Sequence, residues 1–147
     1  MTVVREARLA AGLTQAEVAV RAGIARSNLA AIEAGSRVAS EQMIQRILAA
    51  TGYHTASELL AARREEIIAT IEEHGGSNPR VFGSVARKED GPASDIDLLV
   101  TVQPGRFWAF TALPRVLSEL LGRRVDVLAD GNLSPRFQHV YGEAVAL

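Results

Sequence analysis

The sequence predicts two modules in one chain, an all-α domain followed by an α/β domain. Three observations predict this. The first 60 residues break into short apolar-periodic segments, most of them closed by a glycine. Beyond Gly75 the pattern changes to short runs of β-branched and aliphatic residues, separated by one helical stretch. Charge follows the same division. Residues 1–64 carry 8 Arg against 5 Glu, net +3, and residues 65–147 carry 8 Lys or Arg against 12 Asp or Glu, net −4. At 147 residues there is room for two small domains, and the expected boundary lies near Ala61, giving 1–60 and 61–147.

In the first module, Val3 to Ala11 is periodic and stops at Gly12. Thr14 with Glu17 three residues on forms a capping box for a second helix, which ends at Ala22-Gly23. A third helix runs from Arg26 to Glu33 and stops at Gly35, and Ser40 caps a fourth that ends near Thr51-Gly52. A fifth is expected around Ser57 to Leu60. Ala61 to His74 is rich in helix formers and is broken by Gly75–Pro79. Strands are expected at Arg80–Phe82, Asp95–Val102 and Arg124–Leu128. Between the last two, "FWAFTALPRVLSELLG" is helical in pattern, with Pro114 as a kink or restart. Phe107, Trp108 and Phe110 in that stretch are expected to be core. The tail, Ser134 to Ala146, predicts a helix, alone or with a short strand.

Composition excludes several classes. Hydrophobic residues make up 48% of the chain, enough for packed cores. There is no Cys, hence no disulfide framework and no thiolate metal site. No run of 18 apolar residues appears, and the N-terminus is charged where a signal peptide needs an apolar stretch. Both points lead us to expect a cytoplasmic protein with no membrane partner. His54, His74 and His139 are scattered and do not suggest a His-based metal site.

Thr14 to Gly35 reads "TQAEVAVRAGIARSNLAAIEAG". Two short helices meet at Ala22-Gly23-Ile24, where a glycine allows positive φ. Ala19 is small where the helices cross, and Val18, Ile24, Leu29 and Ile32 are apolar where the pair must pack. Through Gln15, Ala19, Gly23, Ile24, Leu29, Ile32, Glu33 and Gly35 the segment resembles the phage-repressor-like, or Xre-type, helix-turn-helix family. The resemblance implies a five-helix DNA-binding domain over roughly residues 1–60. It places Arg26, Ser27 and Asn28 toward the major groove, and Gln15 and Arg37 at phosphates or the groove edge. These side-chain types suit those roles, since Arg pairs with guanine and Asn with adenine. Operator DNA is then an expected partner, read by a homodimer.

The second constellation is "VFGSVARKEDGPASDIDLLV", Val81 to Val100. Asp95 and Asp97 are two apart on a strand, so they project together while Ile96 points into the core. Two like charges so placed repel unless a cation lies between them, and hard divalent cations such as Mg²⁺ take oxygen ligands. Gly83 and Ser84 follow a short strand, where a glycine lets a phosphate approach the backbone. Asp126, on a later strand, can join the first two if the strands pair. Three carboxylates with one or two metals suit in-line displacement at phosphorus.

Gly-Ser, ten residues, then Asp-x-Asp, with "FGSVAR", "SDIDLLV" and "LLGRRVDVL", resembles the minimal nucleotidyltransferases (MNT) of the polymerase-beta superfamily over residues 62–147. The chain departs at Lys88, where a Gly commonly follows the Arg. The resemblance implies a mixed sheet flanked by helices. Asp95 and Asp97 would hold Mg²⁺, Asp126 would complete the site and act as base, and Gly83 and Ser84 would hold the phosphates of ATP. Arg87 would touch the triphosphate or, equally, serve as an ion-paired surface residue. A module of this size, fused to a DNA reader, resembles the antitoxin half of HEPN–MNT toxin–antitoxin pairs. That implies AMPylation of a tyrosine hydroxyl on a HEPN-type ribonuclease toxin, as homodimer or hetero-oligomer, and autorepression of the promoter. The alternative is a transcription regulator whose second domain masks the toxin or senses nucleotide without catalysis.

Overall fold

The computed structural model describes residues 2–91, 94–131 and 133–147. The chain divides into two compact units, one reaching to Thr55 and the other comprising Ala56–Asp90 and Ser94–Leu147.

The first unit contains α1 (Val3–Ala10), α2 (Gln15–Ala22), α3 (Arg26–Glu33) and α4 (Glu41–Ala50). Each begins where the sequence supplies a start signal. Thr2 caps α1, Ser40 caps α4, and Thr14 with Glu17 makes the full capping box of α2, Glu17 Oε2 accepting the Thr14 N–H at 2.7 Å. Gly23 ends α2 in the left-handed conformation, φ +65°, which turns the chain toward α3. The apolar faces meet in a core of Val4, Val18, Ala19, Ala22, Leu29, Ile32 and Ile47. Ala19 is buried where α2 and α3 pack, as its size requires. Full burial of a Leu or Ile contributes about 1.5–3 kcal/mol each, so these residues, not helix propensity, hold four short helices together.

The second unit begins with α5 (Ala56–Ala62) and α6 (Arg64–Glu73). The helix expected to close the first domain is α5, yet its buried residues Ala56 and Leu60 belong to the second core. A helix of seven residues offers one i, i+4 apolar pair, and that pair serves a single core. Four strands follow in a mixed sheet: β1 (Gly76–Phe82), β2 (Ile96–Val102), β3 (Val125–Ala129) and β4 (Val145–Ala146), in the order β3-β2-β1-β4. β2 runs parallel to β3 and antiparallel to β1, and β4 runs antiparallel to β1. Between β2 and β3 come α8 (Phe107–Phe110) and α9 (Leu113–Leu121), and α7 (Gly83–Ala86) and α10 (Val140–Glu143) are single turns.

The sequence of β2, "IDLLVTV", explains its central place. Ile96, Leu98 and Val100 are fully buried on one face, in one cluster with Ile67 and Ile71 of α6 and Leu113 and Leu117 of α9. Leu99 is buried on the other face with Phe82 and Val140. Asp97 shares that second face. The alternation of β2 therefore aims its one carboxylate at the side that the C-terminal segment covers.

Two sequence expectations change. β1 starts at Gly76, not Arg80, because the Gly-Ser-Asn-Pro run forms a bulge between Ser77 and Arg80, with Asn78 at φ +48°. Breaker residues mark an irregular strand here rather than a loop. Of the three aromatics expected in the core, only Phe110 is buried, while Trp108 is 84% exposed and Phe107 58%. α8 is one turn long, so a single side chain reaches the core. α9 restarts at Leu113 with Pro114 in its first turn, where the missing N–H costs nothing. Among the described residues no helix is long and apolar enough to cross a membrane.

Candidate active site

Strand register builds the site. Asp97 of β2 is paired with Phe82 of β1 on one side and with Asp126 of β3 on the other. Asp95 lies two residues before Asp97, just ahead of β2. Cross-strand partners point to the same face, so Asp95, Asp97 and Asp126 gather at one end of the sheet, as expected from the sequence. Gly83 follows Phe82 directly. It stands at φ +71°, and a Cβ there would lie 2.4 Å from Asp97 Oδ2. Both conditions select glycine. Ser84 follows in the turn of α7, which Val85 anchors in the core.

The electrostatics are unfavourable to Asp97. Burial, then the charges of Asp126 and Asp95, push its carboxyl above the ordinary aspartate value, and Arg87 only partly opposes them. Two cations lean in from the rim. Arg124 lies 3.4 Å from Asp126 and 3.9 Å from Asp95. Arg87 holds Glu89 at 2.9 Å and Glu143 at 3.1 Å. Glu143 also accepts the Gly83 N–H at 3.0 Å. Donation from Gly83 is the main cause that holds the Glu143 carboxyl below the usual range, with Arg87 adding to it.

In the first unit, Arg26 and Ser27 are exposed on the opening turn of α3, and Arg37 is exposed in the turn beyond it. Asn28 is partly buried, and its Oδ1 is shielded from solvent without a hydrogen-bond partner among the described residues. Gln15 is turned inward. Its Nε2 donates to Glu33 Oε2 at 3.0 Å, beside a two-pronged Arg8–Glu33 pair at 2.7 and 2.9 Å. One of its donors is thus engaged inside the domain rather than directed at a phosphate.

Comparison with known proteins fits this geometry. Residues 64–140 match the family described as "Nucleotidyltransferase domain", and residues 4–57 match "Helix-turn-helix". The chain belongs to the nucleotidyltransferase family. Over 84 residues it is 36% identical to a Methanocaldococcus jannaschii protein named "Putative protein adenylyltransferase", covering 56% of this chain and 90% of that one. A solved structure, "Structure of putative minimal nucleotidyltransferase", superposes with a TM-score of 0.57 at 43% identity, covering 65% of this chain and all of the other. The protein thus joins an Xre-type helix-turn-helix DNA-binding domain to a minimal nucleotidyltransferase domain.

Within the nucleotidyltransferase domain the donor set suits a hard divalent cation. Three carboxylates share one end of the sheet, and repulsion at Asp97 is of the kind a cation relieves. As they stand, no three His, Asp or Glu side chains among the described residues converge to ligand distance. Lys88 adopts φ +58°, which explains why glycine is common there in the family the sequence resembles. A left-handed lysine costs on the order of 1 kcal/mol. Sequence reasoning missed Arg124 and Glu143. Arg124 had a signal, since it stands two residues before Asp126 on the same strand face. Glu143 had only its position as the lone acid after Asp130.

Proposed function

We propose that this nucleotidyltransferase moves AMP from ATP to a tyrosine hydroxyl of a HEPN-type ribonuclease toxin, acting as its antitoxin in the cytoplasm. The helix-turn-helix domain would repress the promoter of the pair, with Arg26, Ser27 and Asn28 reading bases and Arg37 and Gln15 near phosphates. The observation that carries the catalytic reading is the register of Asp97, held between the Gly83 turn of β1 and Asp126 of β3.

In the reaction the tyrosine oxygen attacks the α-phosphorus. The hydroxyl proton passes to the Asp126 carboxylate, the bond from the α-phosphorus to the bridging oxygen breaks, and pyrophosphate leaves. Gly83 N–H and the Ser84 hydroxyl would donate to phosphate oxygens, and Arg87 would neutralise part of the triphosphate charge. Mg²⁺, held by Asp95, Asp97 and Asp126, would supply charge neutralisation at the phosphates. The test is mass spectrometry of a co-purified or co-encoded toxin after incubation with ATP and Mg²⁺. The expected result is one or more AMP additions on tyrosine, lost in Asp95→Ala/Asp97→Ala. Transfer that persists in the double variant would sink the assignment.

A second reading has one observation in its favour. Arg124 lies against both Asp95 and Asp126, so two of the three carboxylates have a cation of the chain beside them. The domain would then mask the toxin or sense nucleotide without catalysis. The same double variant separates the two, because a masking antitoxin would still neutralise the toxin.

A further inference from the structure

Glu143 is fixed in place from both sides. Three residues before it, Val140 is fully buried against Phe82 and Leu99, on the same sheet face as Asp97. Two residues after it, Val145 pairs with Val81 and Ala146 with Arg80. Between these anchors residue 143 lies beside the turn at Gly83. There its two oxygens take two different donors, Oε1 the Gly83 N–H at 3.0 Å and Oε2 the Arg87 Nη1 at 3.1 Å.

The placement is costly on its face. Asp95, Asp97 and Asp126 already crowd this end of the sheet, and Glu143 adds to the negative charge around Asp97. A fourth carboxylate is tolerable here because it takes the Gly83 N–H and the Nη1 of Arg87, whose Nε is already held by Glu89. Those donors, Gly83 N–H and Arg87, are the ones the proposed nucleotide site needs for phosphate. A carboxylate and a phosphate present the same chemistry to an N–H, two or three anionic oxygens at hydrogen-bond distance. Gly83 has one N–H, so it cannot serve both.

We propose that Glu143 is an internal stand-in for nucleotide phosphate, occupying Gly83 and Arg87 until nucleotide displaces it. This rests on the nucleotide reading of the site. Displacement is a side-chain rotation, since the backbone of α10 and β4 stays packed. Affinity for nucleotide is then lowered by the contacts that Glu143 gives up. Its return after the reaction competes with pyrophosphate for the same donors.

The test measures binding of the α,β-methylene analogue of ATP with Mg²⁺ to the full chain, by calorimetry, for the native protein, Glu143→Gln and Glu143→Ala. Gln keeps a neutral acceptor for Gly83 and Ala removes it, so the pair separates competition from support of the turn. Both variants are expected to bind the analogue more tightly, Ala by about tenfold, the worth of one charge-assisted hydrogen bond. In the native protein the Gly83 amide NMR signal should move on adding the analogue, and the two variants should start from a different position. If the native protein binds the analogue and either variant binds it more weakly or equally, Glu143 supports the turn and the proposal fails. If no protein of the three binds it, the nucleotide reading itself fails and takes the proposal with it.

Discussion

Glu33 in the helix-turn-helix domain is buried and Asp97 in the nucleotidyltransferase domain is half-buried, and their surroundings treat them in opposite ways. Burial alone would raise the pKa of Glu33, but hydrogen bonds from Arg8 and Gln15 outweigh it and hold the carboxyl below its usual range. The Asp97 carboxyl is raised by burial and then by the charges of Asp126 and Asp95, which Arg87 only partly opposes. Glu33 takes three hydrogen bonds from two residues of its own domain, Arg8 and Gln15. Asp97 has Gly83 cut away in front of it, with Asp126 beside it on β3 and Asp95 two residues before it. An acid that the chain itself completes is part of the fold, whereas one that the chain leaves in deficit marks a candidate site, as proposed for Asp97.

The largest effect that would break this comparison is loss of Glu33. Glu33→Ala leaves the Arg8 guanidinium, 11% exposed, without its counter-charge. We expect the first unit to lose about 3–5 kcal/mol, read as faster hydrogen exchange in α1–α4 with β1–β3 unchanged. Replacing both partners by Arg8→Met/Glu33→Leu should cost less than either single change, because no charge is then stranded. The sign with pH follows from the direction of the shift. The folded carboxyl is depressed, so its contribution is complete above about pH 4.3, the ordinary value, and is lost as pH falls through the folded value. Exchange protection in the first unit that survives acid unchanged would show that the Arg8 pair contributes nothing.

The sequence carried the outline of both acids with unequal clarity. The helices of the first unit were readable because local signals such as the Thr14–Glu17 box and the left-handed Gly23 act within a few residues. Asp95, Asp97 and Gly83 were readable for a different reason, since strand alternation and one short loop fix their relation. What stayed hidden depends on distant partners. The inward turn of Gln15 is set by Glu33, eighteen residues on, and nothing in its neighbours betrays it. Glu143 reaches Gly83 across sixty residues through the pairing of β4 with β1, a strand of two residues that no periodicity can announce. The bulge in β1 and the exposed Trp108 lie beyond the sequence pattern because Pro, Gly and aromatic residues depart there from their average behaviour.

A smaller effect concerns the cations. Arg8 is committed to Glu33, while Arg26 and Arg37 are exposed on or near α3. If exposure marks the residues meant for DNA, Arg26→Ala should weaken operator binding by about 1–3 kcal/mol and relax sequence preference. Arg37→Ala should weaken all duplexes alike and lower the salt dependence by about one phosphate contact. Fluorescence anisotropy against operator and scrambled duplex across salt concentrations measures both. Equal losses on both duplexes for Arg26→Ala would assign it to the backbone instead.

The smallest effect sharpens the contrast most. Asp97→Asn keeps the size of the side chain and removes the charge that Asp126 and Asp95 oppose. If Asp97 is held in deficit, the variant should be no less stable than the native protein at neutral pH without divalent cation, with a gain of at most about 1 kcal/mol for a half-exposed group. Adding Mg²⁺ should then reverse the order. The native protein gains stability by binding the cation in its folded form only, and the variant gains less. Scanning calorimetry in chelator and in excess Mg²⁺ provides both readings. A variant destabilised in chelator would mean that Asp97 has a partner within the fold, and Asp97 would then resemble Glu33 rather than oppose it.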